Sequence, residues 1–418
     1  MRCRLSLYAA LAAVVAVMSP NLFATGVNAT VGLCPGPGTH YLTIAAAITA
    51  VSSGSTIRVC PGNYPEQLLI QKSLTLEGIT SGSGEAETDA VVIYPPSGGL
   101  PSNTSDAKGT VASQVLVQNT TQVTISNLTV DGKGNMNTVD DVRGITFQDA
   151  SGTVNRVAVR NEVPNDTPTG VQSGQGIVVE TTSSTSASLL VENSSVHNYN
   201  KNGIVARYAG TTLKAIGNYV QGNGPINYIA ENGIEVAFGG ATGTIQNNTV
   251  IDNVYTAAAG NPGNAATDIL LYDSSEDGGN LVSGNTVGNA QDTIALVTDT
   301  PGTYGDGVTV MGNKVLGTSG FDAIDVCTNG NKITGNTIFN TAQSGVHLDA
   351  SCGNTGSNNT ISGNTIVESA CAGYLFDTGT SQTGTPSGSF FTVPFPMTNS
   401  CTSTAGAAHA QVRNKFQP

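Results

Sequence analysis

The stretch "SGNTVGNAQDTIALV", residues 283–297, holds two short patterns whose recurrence decides the fold. The first is G-N-x-V, here Gly284 to Val287. From about residue 120 it keeps returning, in strict or loose form, ending at Val130, Val159, Val196, Val220, Val250, Val287, Val315, Ile338 and Ile366. The spacings are 29, 37, 24, 30, 37, 28, 23 and 28 residues. Between these copies runs the second pattern, a small or acidic residue followed by alternating apolar positions: "GITF", "GIVV", "GIVA", "GIEV", "DILL", "TIAL", "AIDV", "GVHL" and "GYLF". Each unit therefore contains two or three runs of period two, separated by Gly, Asn, Ser and Thr. One unit cannot bury a face alone, whereas stacked units share a column of Ile, Val and Leu. Leucine-rich repeats would need LxxLxLxxN spacing, and propeller blades would be longer and richer in aromatics. The period predicts an all-β solenoid, a parallel β-helix. It also gives a role to the recurring Asn (Asn218, Asn248, Asn285, Asn313, Asn336, Asn364), whose amides can bond from coil to coil.

The ends differ from the middle. Residues 1–28 open basic and turn apolar, as a secretory signal does, and the run is too short to favour a membrane span. Residues 29–380 form the predicted β-helix domain, with an Ala-rich helix in "HYLTIAAAITAV" (40–51) capping the first coil. Residues 381–418 are expected to be an irregular cap or tail. Six cysteines remain beyond the signal, and nearest-neighbour disulfides would pair 34 with 60, 327 with 352 and 371 with 401. The formal net charge of −13 argues against a nucleic-acid partner, since nothing could neutralise a row of phosphates. The expected location is secreted, extracellular or periplasmic, with no membrane span after signal removal.

On the capping helix, the first coils and the repeats, the chain resembles the right-handed parallel β-helix superfamily typified by pectate and pectin lyases, over roughly residues 38–380. The resemblance implies a single-stranded right-handed solenoid, with a substrate groove along one sheet and its loops. "GNYPE" (62–66) also resembles the first motif of pectin methylesterases, but the rest of that pattern is missing and the chain has no Trp. The polygalacturonase blocks are absent as well. Fold alone leaves function open.

If alternate residues of each second pattern point outward, two clusters face the groove. One is Asp325, His347 and Asp349, with Asp322 just before its strand. Adjacent coils lie ~4.8 Å apart, which puts Asp325 and Asp349 at about 8 Å, inside the roughly 6.5–9.5 Å of an inverting glycosidase pair. His347 would orient or relay a proton, and Asp322, Asp325 and Asp349 could instead hold Ca²⁺. The bland alternative is a cross-strand surface pair. The other cluster is Glu180, Arg207, Glu235 and Tyr272, with Lys201 and Tyr228 in the feeding loops, as substrate-binding groups. Its bland alternative is an Arg207–Glu180 surface ion pair. Together these predict a protein acting on extracellular polysaccharide as a glycoside hydrolase or a lyase. The competing reading is a non-catalytic surface or adhesive protein that binds a cell-surface glycan.

Overall fold

The computed structural model describes residues 28–377 except 83, 139, 184, 257–264, 277–278, 351–355 and 371, and the backbone of 382–383 and 391–392. The chain winds as a right-handed parallel β-helix. Along the front, eleven strands stack in parallel from Leu68–Ile70 through Gly109–Gln118 and onward to Ser344–Leu348 and Ala372–Phe376. Among the described residues one antiparallel pairing occurs, where Thr104–Asp106 folds back on Gly109–Gln118. The remaining strands form the back and side of the coil.

The period works as the sequence predicts. Ile145, Ile177, Ile204, Ile234, Ile269, Ile294, Ile324 and Val346 lie in register from coil to coil, all fully buried. Each coil lends an aliphatic side chain to a column that none could bury alone. Beside the core runs the Asn ladder. Asn285 donates to the Ile245 carbonyl at 2.9 Å and to Asn313 Oδ1 at 2.9 Å, and accepts from the Asn248 backbone N–H at 2.9 Å. The same pattern continues through Asn313, Asn336 and Asn364.

The helix Ile44–Ala50 caps the first coils, with Thr43 accepting from the Ala46 amide and Ile44, Ala47 and Ile48 buried in the common core. Glu66, the last residue of "GNYPE", accepts from the amides of Ile44 and Ala45 at 2.8 Å each. A carboxylate at a helix N-terminus satisfies amides that have no partner within the helix. In this chain that motif is therefore cap architecture. Cys34 and Cys60 are joined by a disulfide. Closing a 26-residue separation contributes about 3 kcal/mol by loop entropy. A Cys34→Ser/Cys60→Ser variant is expected to lose about 2–4 kcal/mol in the cap, read by hydrogen exchange of residues 29–78. Cys327 is also disulfide-bonded. Its expected partner Cys352, both cysteines of the 371–401 pair and the signal at 1–27 lie outside the described residues. Past residue 380, two short strands, Gln382–Thr383 and Phe391–Thr392, still pair with the coil before them. No helix among the described residues is long and apolar enough to cross a membrane.

Several acids are buried within the fold. Burial raises the carboxyls of Glu162 and Asp268 well above the usual range. Burial also lifts Glu231 to about 8, against hydrogen bonds from Asn223 and the charge of Lys201. An acid whose pKa is raised on folding stabilises most below its unfolded value and loses that contribution as pH rises to the folded one. For Glu231 the window runs from about 4.5 to about 8. Unfolding free energy is expected to fall across it by at most about 1.4 kcal/mol per pH unit from this group. Glu231→Gln should flatten that slope in urea titrations at several pH values.

Candidate active site

The front sheet presents its outer face through three columns. With the core Ile as position zero, positions plus one and plus three alternate outward, as the sequence predicts. A third column, at minus two, joins them. Its members reach the other two: Arg143 pairs with Glu180, Arg207 donates to Gln175 at 2.6 Å, Asn232 donates to Glu235 at 3.0 Å, and Asp322 bonds His347. Strict alternation would send this column inward. The position between, minus one, is often glycine, and the strand pairing skips it. A Cβ on Gly176 would lie 2.4 Å from Val196 Cγ1 and 2.6 Å from the Gly203 carbonyl, so the chain turns there without a side chain. Alternation read from the core residues missed this column, although the recurrent Gly was its signal.

The outer face differs from expectation in exposure. Glu235, Asp325, His347, Asp349, Glu180 and Arg207 are all at most 3% exposed, where solvent-facing groups were expected. Alternation correctly separates them from the core, but these side chains are buried against one another and their neighbours. Its middle is an apolar cluster of Ala237, Leu270, Tyr272, Ala295, Val297 and Cys327. A polar network lies at either end.

At the C-terminal end, Asp322, Asp325, His347 and Asp349 meet as predicted and are joined by Asp377. His347 Nδ1 lies 3.0 Å from Asp322 Oδ2 and 3.9 Å from Asp325 Oδ1, while Nε2 lies 3.3 Å from Asp377 Oδ1. Asp349 also hydrogen-bonds Asp377. Asp377 was missed by a slip of one residue. Reading "GYLF" from its Leu places Phe376 beside His347, whereas the structure pairs Leu375 with His347 and Phe376 with the core residue Leu348. In the true register Asp377 follows Asp349. One residue of slip exchanges the two faces of a strand.

The spacing also needs correction. An oxygen of Asp325 lies within 4.8 Å of one of Asp349, shorter than the diagonal of about 8 Å that strand geometry predicts. Their side chains therefore converge more closely than strand spacing alone predicts. Burial raises the Asp325 carboxyl well above the usual carboxylate range, with the charge of Asp349 adding to it. Burial alone would lower His347. Its hydrogen bonds to Asp322 and Asp377, with the charges of Asp322 and Asp325, instead raise it to about 11. The hydrogen bond from His347 holds Asp377 below the usual range. The cluster thus holds His347 between Asp322 and Asp377, beside a carboxyl whose proton affinity burial increases.

At the other end, Glu180, Arg207, Glu235 and Lys201 fall in one network, but the pairing is not the predicted one. Glu180 meets Arg143 at 2.8 Å, and Arg207 Nη1 lies 3.4 Å from Asp141 and 3.5 Å from Asp106. This network is buried, so it is no surface ion pair. Arg143, fully buried, is held charged against Glu180, Asp141 and Asp106. Lys201 donates to the Ala230 carbonyl at 2.6 Å. Tyr272 stands apart in the apolar middle, its hydroxyl bonded to Asp299, and Tyr228 sits on the 222–231 loop, with its carbonyl against Gly170. Asp106 and Lys108 enter from the Thr104–Asp106 hairpin, which the sequence reading did not assign.

The family described as periplasmic copper-binding protein (NosD) matches residues 261–383, less than half of the chain. No curated protein matches it in sequence. Among solved structures, a GH136 lacto-N-biosidase from Eubacterium ramulus aligns at TM-score 0.52 and 12% identity, covering 85% of this chain and 67% of its own. The periplasmic alginate epimerase AlgG aligns at 0.47 and 10%, covering 77% and 63%. Pectin methylesterase PemA from Erwinia chrysanthemi aligns at 0.34 and 14%, covering 60% and 90%. The chain has the pectin-lyase-like right-handed β-helix fold. The matched 261–383 segment contains the Asp–His cluster, but its donors suit copper poorly. There is one imidazole, already bonded at both nitrogens to carboxylates, and Cys327 is in a disulfide. Soft copper would want thiolate, thioether or several imidazoles.

Proposed function

We propose that this protein acts on an extracellular or periplasmic polysaccharide and that the Asp325–His347–Asp349–Asp377 cluster carries the chemistry. One observation carries the reading. Asp325 is a buried carboxyl whose proton affinity burial raises, with an oxygen within 4.8 Å of one of Asp349 and 3.9 Å from His347 Nδ1. A proton donor of that kind is what cleavage of a glycosidic bond requires. The convergence of the two carboxyls comes nearer to the roughly 5–5.5 Å of a double-displacement pair than to an inverting one. Hydrolysis would then retain the anomeric configuration, with Asp325 protonating the leaving oxygen, Asp349 attacking C1, and Asp322 and Asp377 fixing the imidazolium. The first listed solved neighbour, described as a lacto-N-biosidase, acts on glycans by its name, in keeping with this reading.

A divalent cation is the second reading, because ligand atoms of Asp322, Asp325 and His347, or of His347, Asp349 and Asp377, lie within 4.8 Å of one another. Against it, both His347 ring nitrogens are already bonded to carboxyl groups of Asp322 and Asp377. Calorimetric titration with Ca²⁺ decides between them, and heat with micromolar affinity that Asp325→Asn removes would favour the ion. The main test is a screen of polysaccharides for new reducing ends, with the anomer of the first product read by NMR. Binding without turnover on every substrate would favour the adhesive alternative.

A further inference from the structure

We propose that the N-terminal end of the solenoid is a dimerisation surface, where a second copy of this chain docks on Leu33, Leu42 and the outer face of the capping helix. Residues 5–57 contain no Asp, Glu, Lys or Arg, although the whole chain carries 29 acidic and 16 basic residues. That uncharged stretch includes the cap. Leu33 is 94% exposed and Leu42 82%, against 63% for Met136, the next large apolar side chain among the described residues.

Both leucines are held where they stand. Ala29–Val31 pairs with Ser55–Val59 on one side and with Thr39–Tyr41 on the other, Val31 opposite Tyr41. The Gly32 amide donates to the Tyr41 carbonyl at 2.9 Å, so the chain leaves both strands together, towards Leu33 and Leu42. Cys34 follows Leu33 and is tied to Cys60, while Thr30 Oγ1 donates to the Pro37 carbonyl at 2.9 Å. An apolar group fixed in this way loses less entropy on binding than a mobile one.

The rest of the end is as bare of charge. Thr39–Tyr41 is the outermost strand, paired on one side alone among the described residues, with Thr39 and His40 exposed. The capping helix packs against both outer strands and turns Ala45, Ala46, Thr49 and Ala50 to solvent. Glu66 and Lys72 reach this helix, but each is engaged at a terminus. Glu66 holds the Ile44 and Ala45 amides, and Lys72 Nζ donates to the carbonyls of Thr49 at 3.3 Å and Val51 at 2.9 Å. Solenoid ends stay soluble through a polar outer face, and open edge strands are blunted by charge or proline. Thr39–Tyr41 has neither, and the helix beside it presents alanine.

The charge of the chain selects the occupant. At −13, two copies repel one another, and the uncharged end lets them meet with no like charges at the contact. A bilayer surface would call for Lys, Arg or Trp there, and residues 5–57 hold none. The edge strand finds its match in its own copy. About a two-fold axis, Thr39–Tyr41 of each chain can pair antiparallel, with the leucines of one chain against the alanines of the other. Such a dimer leaves the two acid clusters at its opposite tips.

The test is sedimentation velocity of the whole protein from about 1 to 100 µM, with its N-terminal residue read by mass spectrometry. A dimer with Kd of about 10 µM or tighter is expected. Leu33→Ser/Leu42→Ser should weaken it about ten-fold or more, and Leu33→Glu, which brings like charges together across the axis, should leave monomer. Met311→Ser, which removes an exposed apolar group from the strand Thr309–Met311, should change nothing. Both leucines project into solvent in the monomer, so an unchanged thermal transition of the dilute variants separates assembly from folding. Added NaCl should not dissolve the dimer, since no ion pair holds it. Monomer at every concentration, equal weakening by Met311→Ser, dissolution by salt, or assembly beyond two chains overturns the proposal. A dimer confined to chains that retain residues 1–27 would assign the contact to that segment instead. A monomer that floats with phosphatidylcholine vesicles, and loses this in Leu33→Ser/Leu42→Ser, would assign the surface to lipid and equally overturn it.

Discussion

Asp325→Asn is expected to lower turnover by about 10²–10⁴-fold, the range for loss of a positioned general acid. The fold should tolerate the change. Burial favours the neutral form of Asp325, and Asn is a neutral group of nearly the same size. Few buried acids permit so clean a separation of chemistry from stability. Asp349→Asn should also abolish turnover, whereas Asp322→Asn is expected to act differently. It leaves His347 with one fewer hydrogen-bond acceptor, so His347 falls from about 11 towards its ordinary value. A histidine whose pKa is raised on folding stabilises fully below its unfolded value, near 6.5, and loses that contribution as pH rises through the folded one. Asp322→Asn should therefore cost stability most below pH 6.5, and this would appear as a smaller gain in melting temperature on acidification. Unchanged turnover in both Asp325→Asn and Asp349→Asn would sink the assignment of this cluster.

Asn285→Ala is expected to cause the largest loss of stability from a single polar substitution. Its amide bonds the Ile245 carbonyl and Asn313, and accepts from both the backbone N–H and the side-chain NH₂ of Asn248. Alanine would strand these buried groups where water cannot replace the lost partner. Each orphan costs about 1–3 kcal/mol, so a total of roughly 3–6 kcal/mol is expected in guanidinium unfolding. Asn364→Ala removes fewer ladder bonds and should cost less. Because a solenoid's stability is a sum of local and neighbouring terms, hydrogen exchange in Asn285→Ala should rise first in residues 245–315. A loss below about 1 kcal/mol would show that the ladder merely fills space.

Much of the candidate site was legible from period alone. Asp322, Asp325, His347 and Asp349 were picked out because charges are scarce in this chain and these four interrupt apolar runs in adjacent coils. Asp377 was hidden by the "GYLF" register, since a terminal repeat with three large apolar residues gives period two no unique phase. Arg143 was hidden for another reason. It precedes a glycine that breaks alternation, so its strand position pointed to the core while its guanidinium joined Glu180 on the face. Asp106 and Lys108 could not be placed at all. They lie on a hairpin outside the repeat, and a repeat predicts only its own members.

The sequence by itself determined the parallel β-helix, the aliphatic columns, the Asn ladder and the capping helix. These follow from patterns of period two within a period near one coil, which depend only on local geometry and stacking. The tertiary structure decided how the side chains of the face converge and whether water reaches them. Asp325 and Asp349 lie closer than strand spacing predicts, and both are buried where exposure was expected. Proton affinity depends on that burial and on neighbours brought together from separate coils. Residue types and spacings located the acids, but only the packed face raised the proton affinity of one of them.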